Sequence, residues 1–131
     1  MVLEKNGTFC SNTPIEQTVC RSSRVTFQCN HRCNSAYEYC DLLLNQGRYE
    51  MTRQEIRAVF GQLYDESIRF VLVQGGEPLL RPDLVDVLQD LSSLGLHLTL
   101  MSNGTRLTED LEGEFAALRL PLFISLDTAG V

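Results

Sequence analysis

The chain has 131 residues, 11 Lys+Arg against 17 Asp+Glu, and a formal net charge of −6 at pH 7. That length suits one domain or a piece of one, and 44% hydrophobic with 21% charged residues excludes wholesale disorder. The acidic balance argues against a surface that grips nucleic acid by charge, and no apolar run approaches the ~18 residues of a membrane span.

Residues 1–22 are polar and poorly patterned, with Asn6-Gly7, Asn12 and Pro14, and predict a loosely structured or partly strand-like leader. The N-terminus lacks a basic flank followed by an apolar stretch, so it does not read as a secretion signal. Arg24-Val25-Thr26-Phe27-Gln28 is β-prone and predicts the first strand, ending at Cys29. Residues 41–51 connect it to a helix. Thr52-Arg53-Gln54-Glu55 is a capping box, and Ile56, Val59, Phe60 and Leu63 follow at helical spacing.

Ile68-Arg69-Phe70-Val71-Leu72-Val73 is a nearly continuous apolar run, which suits a strand buried on both faces in a parallel sheet. It runs into Gln74-Gly75-Gly76-Glu77-Pro78. Arg81-Pro82-Asp83 is expected to open a second helix with proline at or near its first position, striped by Leu84, Leu88 and Leu91 and stopped at Gly95. Leu96–Met101 predicts a third strand, followed by Ser102-Asn103-Gly104. Thr108 can cap a third helix carrying Leu111, Phe115 and Leu118. Leu122–Leu126 predicts a fourth strand, ending at Asp127-Thr128.

The order β-α-β-α-β-α-β predicts an α/β fold with a parallel sheet. Four parallel strands cannot close a barrel, and an open sheet edge invites pairing. The expectation is therefore a truncated chain, a fragment or part of a larger assembly, with self-association or a partner chain at the open edge.

Ligands of parallel α/β folds gather at the C-terminal ends of strands, and four conspicuous clusters fall there. The five cysteines stand at 10, 20, 29, 33 and 40. An odd count without a secretion signal suits reduced thiols that bind metal. Cys29, Cys33 and Cys40 lie on one segment, and three thiolates can converge on an iron–sulfur cluster. Structural zinc completed by His31 or Cys20, and unliganded thiols, stand beside that reading. Gly75-Gly76 permits close backbone approach, and Glu77 could accept from a ligand ammonium or cap a helix. Asn103-Gly104 is a common turn pair, and taken alone reads as a turn before it reads as a site. Asp127 could bind ribose hydroxyls or be a plain loop acid. His97 lies between leucines and reads as packed or partly exposed.

Cys29-Asn30-His31-Arg32-Cys33 with Tyr39-Cys40, then Gly75–Leu84, Ser102–Thr105 and Ile124–Asp127, resemble in that order the radical S-adenosylmethionine superfamily. The texture is similar to members that mature peptides or build cofactors, including enzymes of the molybdenum-cofactor and pyrroloquinoline-quinone pathways. The resemblance implies a partial TIM-like barrel, with residues 23–131 as the N-terminal portion of the core domain.

It implies a [4Fe–4S] cluster on Cys29, Cys33 and Cys40, and S-adenosylmethionine held through Gly75, Gly76 and Glu77 at its amino group. Tyr39 would lie near the adenine, Ser102 and Asn103 by the methionine portion, and Ser125 or Asp127 by the ribose. The implied activity is reductive cleavage to a 5′-deoxyadenosyl radical that abstracts hydrogen from a small-molecule or peptide substrate. A flavodoxin or ferredoxin would supply the electron, in the cytoplasm. The family's third cysteine normally falls three residues after the second; here that position is Ala36, so residues within 34–38 form a four-residue insertion. Cys10 and Cys20 match nothing in the motif. The alternatives are a split, non-catalytic cluster-binding fragment that needs a partner, and a zinc or thiol module.

Overall fold

Alternation of apolar and polar side chains makes β4 (Arg24–Gln28) a strand with one covered face: Phe27 is buried, Val25 half-buried, and Arg24, Thr26 and Gln28 are exposed. It pairs in parallel with β5 (Phe70–Gln74), which pairs with β6 (His97–Ser102), which pairs with β7 (Leu122–Ile124). The spatial order equals the chain order, and the sheet is open rather than closed. This is the expected α/β, partial TIM-like arrangement of four parallel strands and three intervening helices. The computed structural model describes residues 2–3, 8–11, 19–35, 40 and 47–126. Near the N-terminus the backbone forms three short antiparallel strands, β1 (Val2–Leu3), β2 (Thr8–Ser11) and β3 (Val19–Ser22), with Cys10 opposite Cys20.

The helices form where the sequence places their caps. Thr52 caps α1 (Arg53–Asp65): its hydroxyl accepts from the Glu55 N–H while the Glu55 carboxylate accepts from the Thr52 N–H. The helix α2 (Leu84–Ser93) ends at Gly95, whose φ of +87° is the left-handed stop that glycine adopts without strain. Thr108 caps α3 (Glu109–Ala117) by accepting from the Leu111 N–H. Pro82 plays no part in starting α2, which begins two residues later on an Asp83 cap with no side-chain bond. The proline that opens a helical turn is Pro78, at the head of a 3₁₀ turn (Pro78–Leu80).

All three helices share one face of the sheet. Ile56 and Phe60 of α1, Leu84, Val87, Leu88 and Leu91 of α2, and Phe115 of α3 form one core with Phe27, Val71, Val73, Leu98 and Leu100. Phe27 and Phe60 meet edge-on with centroids 5.0 Å apart. Among the described residues, the helices cover the apolar run of β5 on one face only. Val71 and Val73 are buried, but Phe70 is 43% exposed and Leu72 half-buried on the opposite face. His97 stands exposed beside Phe70, stacked on its ring. That opposite face carries a cavity of about 370 Å³ lined by Arg24, Phe70, Leu72, Thr99, Met101 and Phe123, among others.

Candidate functional site

Parallel pairing puts the C-terminal ends of β4, β5, β6 and β7 along one edge of the sheet, so the segments that follow these strands become neighbours. Cys29 and Cys33 follow β4, Gly75, Gly76 and Glu77 follow β5, Ser102 and Asn103 end and follow β6, and Ser125 follows β7. The Cys29 N–H continues the ladder onto the Gln74 carbonyl at 2.7 Å, and the Ser125 N–H reaches the Ser102 carbonyl at 2.9 Å.

The loop after β4 and the turn after β5 are locked together. Asn30, 1% exposed, donates from Nδ2 to the Glu77 carbonyl at 2.8 Å. The Gly76 N–H points at both Asn30 oxygens, at 3.1 Å for Oδ1 and 3.2 Å for the carbonyl. The Glu77 N–H reaches the Arg32 carbonyl at 2.6 Å. The packing leaves no room for side chains on the turn. A Cβ on Gly75 would lie 2.5 Å from Asn30 Oδ1, and one on Gly76 would lie 2.1 Å from the Arg32 carbonyl oxygen. The double glycine thus serves the cysteine loop of this same chain.

Glu77 is 1% exposed and its carboxylate is well occupied. Oε1 accepts from the Leu79 N–H at 2.9 Å and the Ser102 hydroxyl at 2.7 Å, and Oε2 accepts from the Asn103 N–H at 2.7 Å. An ionised carboxylate offers about four acceptor positions, so one position on Oε2 remains beyond these three bonds. Ser102 also accepts from the Gly104 N–H. The Asn103 amide donates to Asn34 Oδ1 and the Ser35 hydroxyl, both at 3.0 Å, and its Oδ1 accepts from Thr105. Asn34 donates in turn to the Thr105 hydroxyl at 2.8 Å. Ser125 is exposed. Every buried side-chain nitrogen and oxygen among the described residues has a partner.

Cys29, Cys33 and Cys40 are all free, the first buried and the others half-buried. Burial pushes the Cys29 thiol up to about 12, against the opposing pull of the Arg81 charge. Glu50 braces the segment: it accepts from the His31 N–H at 3.0 Å and pairs with Arg32 at 3.1 Å. Burial raises its carboxyl, but those two donors together with the Arg32 and Arg81 charges outweigh it and hold the group below its ordinary 4.5. Among the described residues no three His, Cys, Asp or Glu side chains are already gathered around a common point. The donor set itself fits an iron–sulfur cluster: three soft thiols on one segment, the first two in a loop whose base the Gly75–Glu77 turn holds in place. Tyr39 and Asp127, also expected at the site, lie outside the described residues.

Sequence reasoning passed over four residues that build this edge. Asn30 and Asn34 stand in a stretch marked by its cysteines, Glu50 in a plain connection, and Arg81 beside a proline that reads as a helix start. A buried polar contact between distant segments leaves no periodic trace in a sequence.

The comparisons agree with this architecture. Residues 23–129 match the model of the radical SAM superfamily. The chain is 41% identical over 81 residues to a PqqA peptide cyclase of Rhizobium meliloti, which covers 60% of this chain and 22% of that protein. It is 34% identical over 83 residues to a probable GTP 3′,8-cyclase of Methanothermobacter marburgensis, covering 61% and 27%. It is 30% identical over 93 residues to a neomycin C epimerase of Streptomyces fradiae, covering 71% and 30%. The chain spans roughly a quarter of the length of these relatives. No helix among the described residues is long and apolar enough to cross a membrane. A family match across this parallel sheet and the four segments at its edge makes the chain a member of the radical SAM superfamily.

Proposed function

We propose that this chain binds a [4Fe–4S] cluster through Cys29, Cys33 and Cys40, and S-adenosylmethionine beside it at the ends of β5, β6 and β7. The observation that carries the reading is the lock between the cysteine loop and the Gly75-Gly76-Glu77 turn through Asn30 and Arg32. It holds the first two thiols next to the strand end where the cofactor would bind. When bound, the pair supplies reductive cleavage of the sulfonium to a 5′-deoxyadenosyl radical, for hydrogen abstraction from a substrate.

The chain's own residues bind and orient. Glu77 turns its carbonyl and two carboxylate oxygens into the framework and keeps one Oε2 position for an ammonium group. Ser102 and Asn103 hold that carboxylate in place, and with Ser125 they line the methionine and ribose side. The backbone of Gly75 and Gly76 borders the amino group. Tyr39 and Asp127 complete the reading at the adenine and the ribose. Relatives named as a peptide cyclase and a GTP cyclase favour a peptide or a small cofactor precursor. A flavodoxin or ferredoxin in the cytoplasm would deliver the electron, and the outer strands β4 and β7 offer pairing edges for a partner chain or a second copy.

The test is anaerobic reconstitution with iron and sulfide, followed by metal analysis and electron paramagnetic resonance with and without S-adenosylmethionine. The expected result is about four irons per chain and a signal that shifts on adding the cofactor. Cys29→Ala, Cys33→Ala and Cys40→Ala should each abolish the shift. Zinc uptake with no iron signal would instead support a thiol module.

A further inference from the structure

A buried cation lies directly beneath the cysteine segment. Arg81 is 6% exposed, and its guanidinium is held on both sides. Nη1 donates to the Cys29 carbonyl at 2.7 Å, and Nη2 donates to the Met51 carbonyl at 2.9 Å. Asp83 grips the other edge, with Oδ1 2.8 Å from Nε and Oδ2 3.2 Å from Nη2.

The two carbonyls are far apart in sequence but have one thing in common. Cys29 is the first residue after β4, and Met51 is the last before the cap of α1. Between them runs the whole segment that carries Cys29, Cys33 and Cys40. One guanidinium therefore ties both ends of that segment to a single point. A planar fork with donors in fixed directions can do this; a lysine ammonium carries the same charge without the fork.

We propose that Arg81 is the positioning residue of the cysteine segment: it pins both ends, fixes where Cys29 stands, and sets a positive charge, paired with Asp83, at the backbone of that first ligand. The consequence for a cluster rests on the cluster reading above; the pinning does not. A fixed cation beside a thiolate ligand favours the more negative, reduced state of a cluster and so raises its potential. Asp83 keeps the cation oriented, its carboxylate spanning Nε and Nη2, the nitrogen that also serves the Met51 carbonyl.

Two variants separate shape from charge. Arg81→Lys keeps the charge and loses the fork; Arg81→Met loses both. In the metal-free whole chain, alkylation of Cys29 by iodoacetamide, read by peptide mapping, should be slow. It should rise at least about tenfold in Arg81→Lys, with the circular dichroism spectrum retained. An unchanged Cys29 rate in Arg81→Lys would overturn the proposal, and this arm stands even if Arg81→Met fails to fold. In the reconstituted chain, the midpoint potential of Arg81→Met should fall below both Arg81→Lys and the unsubstituted protein. Equal potentials for Arg81→Lys and Arg81→Met would overturn the charge role. Failure of the unsubstituted chain to take up iron would overturn the cluster reading alone, because the alkylation comparison still decides the pinning.

Discussion

Replacing Gly76 with alanine should be among the most damaging single-methyl additions in the molecule. The new Cβ would lie 2.1 Å from the Arg32 carbonyl oxygen, 2.5 Å from its carbon and 3.1 Å from the Cys33 Cβ. Ordinary contact begins near 3.4 Å, so the loop backbone must retreat by about 1.3 Å, the difference between 3.4 and 2.1. The obstacle is backbone, which cannot swing aside as a side-chain tip can. Retreat breaks the 2.6 Å bond from the Glu77 N–H to the Arg32 carbonyl and stretches that from Gly76 to Asn30. Overpacking costs about 1–3 kcal/mol and each lost bond about 1 kcal/mol. A total of about 2–5 kcal/mol would lower Tm by on the order of 10 °C in a chain of this size.

Two other glycines calibrate the measurement. Gly75→Ala meets the Asn30 side-chain oxygen at 2.5 Å and its carbonyl oxygen at 3.1 Å; relief there sacrifices the Asn30 side-chain bonds but needs a smaller backbone shift, so it should cost less. Gly61, within α1, has nothing within 4 Å of its Cβ position, and alanine there should stabilise the chain by about 0.5–1 kcal/mol. Thermal and urea unfolding of the three variants, without metal, gives the ranking directly. If Gly76→Ala unfolds no more easily than Gly61→Ala, the interlocking of loop and turn is refuted.

Cys29 makes stability fall with rising pH. Burial lifts its thiol from an ordinary 9.0 to about 12, so the folded chain keeps a proton that the unfolded chain releases. The contribution is complete below pH 9 and is lost between 9 and 12, at about 1.4 kcal/mol per pH unit. Urea midpoints of the unsubstituted chain should therefore drop more steeply across that window than those of Cys29→Ala. Glu77→Gln puts an amide among three donors, and should cost about 1–3 kcal/mol by leaving at least one of them facing an N–H; a urea midpoint equal to that of the unsubstituted chain would show that the carboxylate is dispensable. Thr52→Ala removes the α1 cap and should cost about 1 kcal/mol in the same assay. By contrast Arg53→Ala, which breaks exposed pairs with Asp86 and Asp90, should cost under about 1 kcal/mol and less still in high salt.

What the sequence makes legible here is what repeats or punctuates locally. The Thr52 and Glu55 capping box, Gly95 as a helix stop and the Thr108 cap each act within four residues, and each stands where the sequence predicts it. The parallel sheet follows from strand and helix order, since short right-handed crossovers leave few alternatives. Local cues mislead where two proline turns sit close together. Pro82 reads as a helix opener, but Arg81 is held by Cys29, Met51 and Asp83, and α2 starts only beyond Asp83. The apolar run before Gly75 reads as doubly buried because composition reports how apolar a strand is, not what lies across from it. Phe70 and Leu72 face the side that no described helix covers.

The candidate site is legible in its members and not in its wiring. The cysteines, the double glycine, Glu77, Ser102 and Asn103 can be picked out because each follows a strand. Their most natural reading assigns them outward, to a ligand. The structure turns much of their bonding inward: Glu77 holds Ser102 and the Asn103 backbone, and Asn103 holds Asn34 and Ser35 beside Cys33. A rigid edge of this kind is a condition for binding a reactive group at a fixed distance. Asn34 and Ser35 belong to the stretch that makes the Cys33–Cys40 spacing unusually long. Their bonds to Asn103 and Thr105 tie the start of that stretch to the end of β6, beside Cys33. An insertion placed before Cys33 would have had to displace Asn30 or Arg32 from the glycine turn, where even one added Cβ on Gly76 would lie 2.1 Å from the Arg32 carbonyl oxygen.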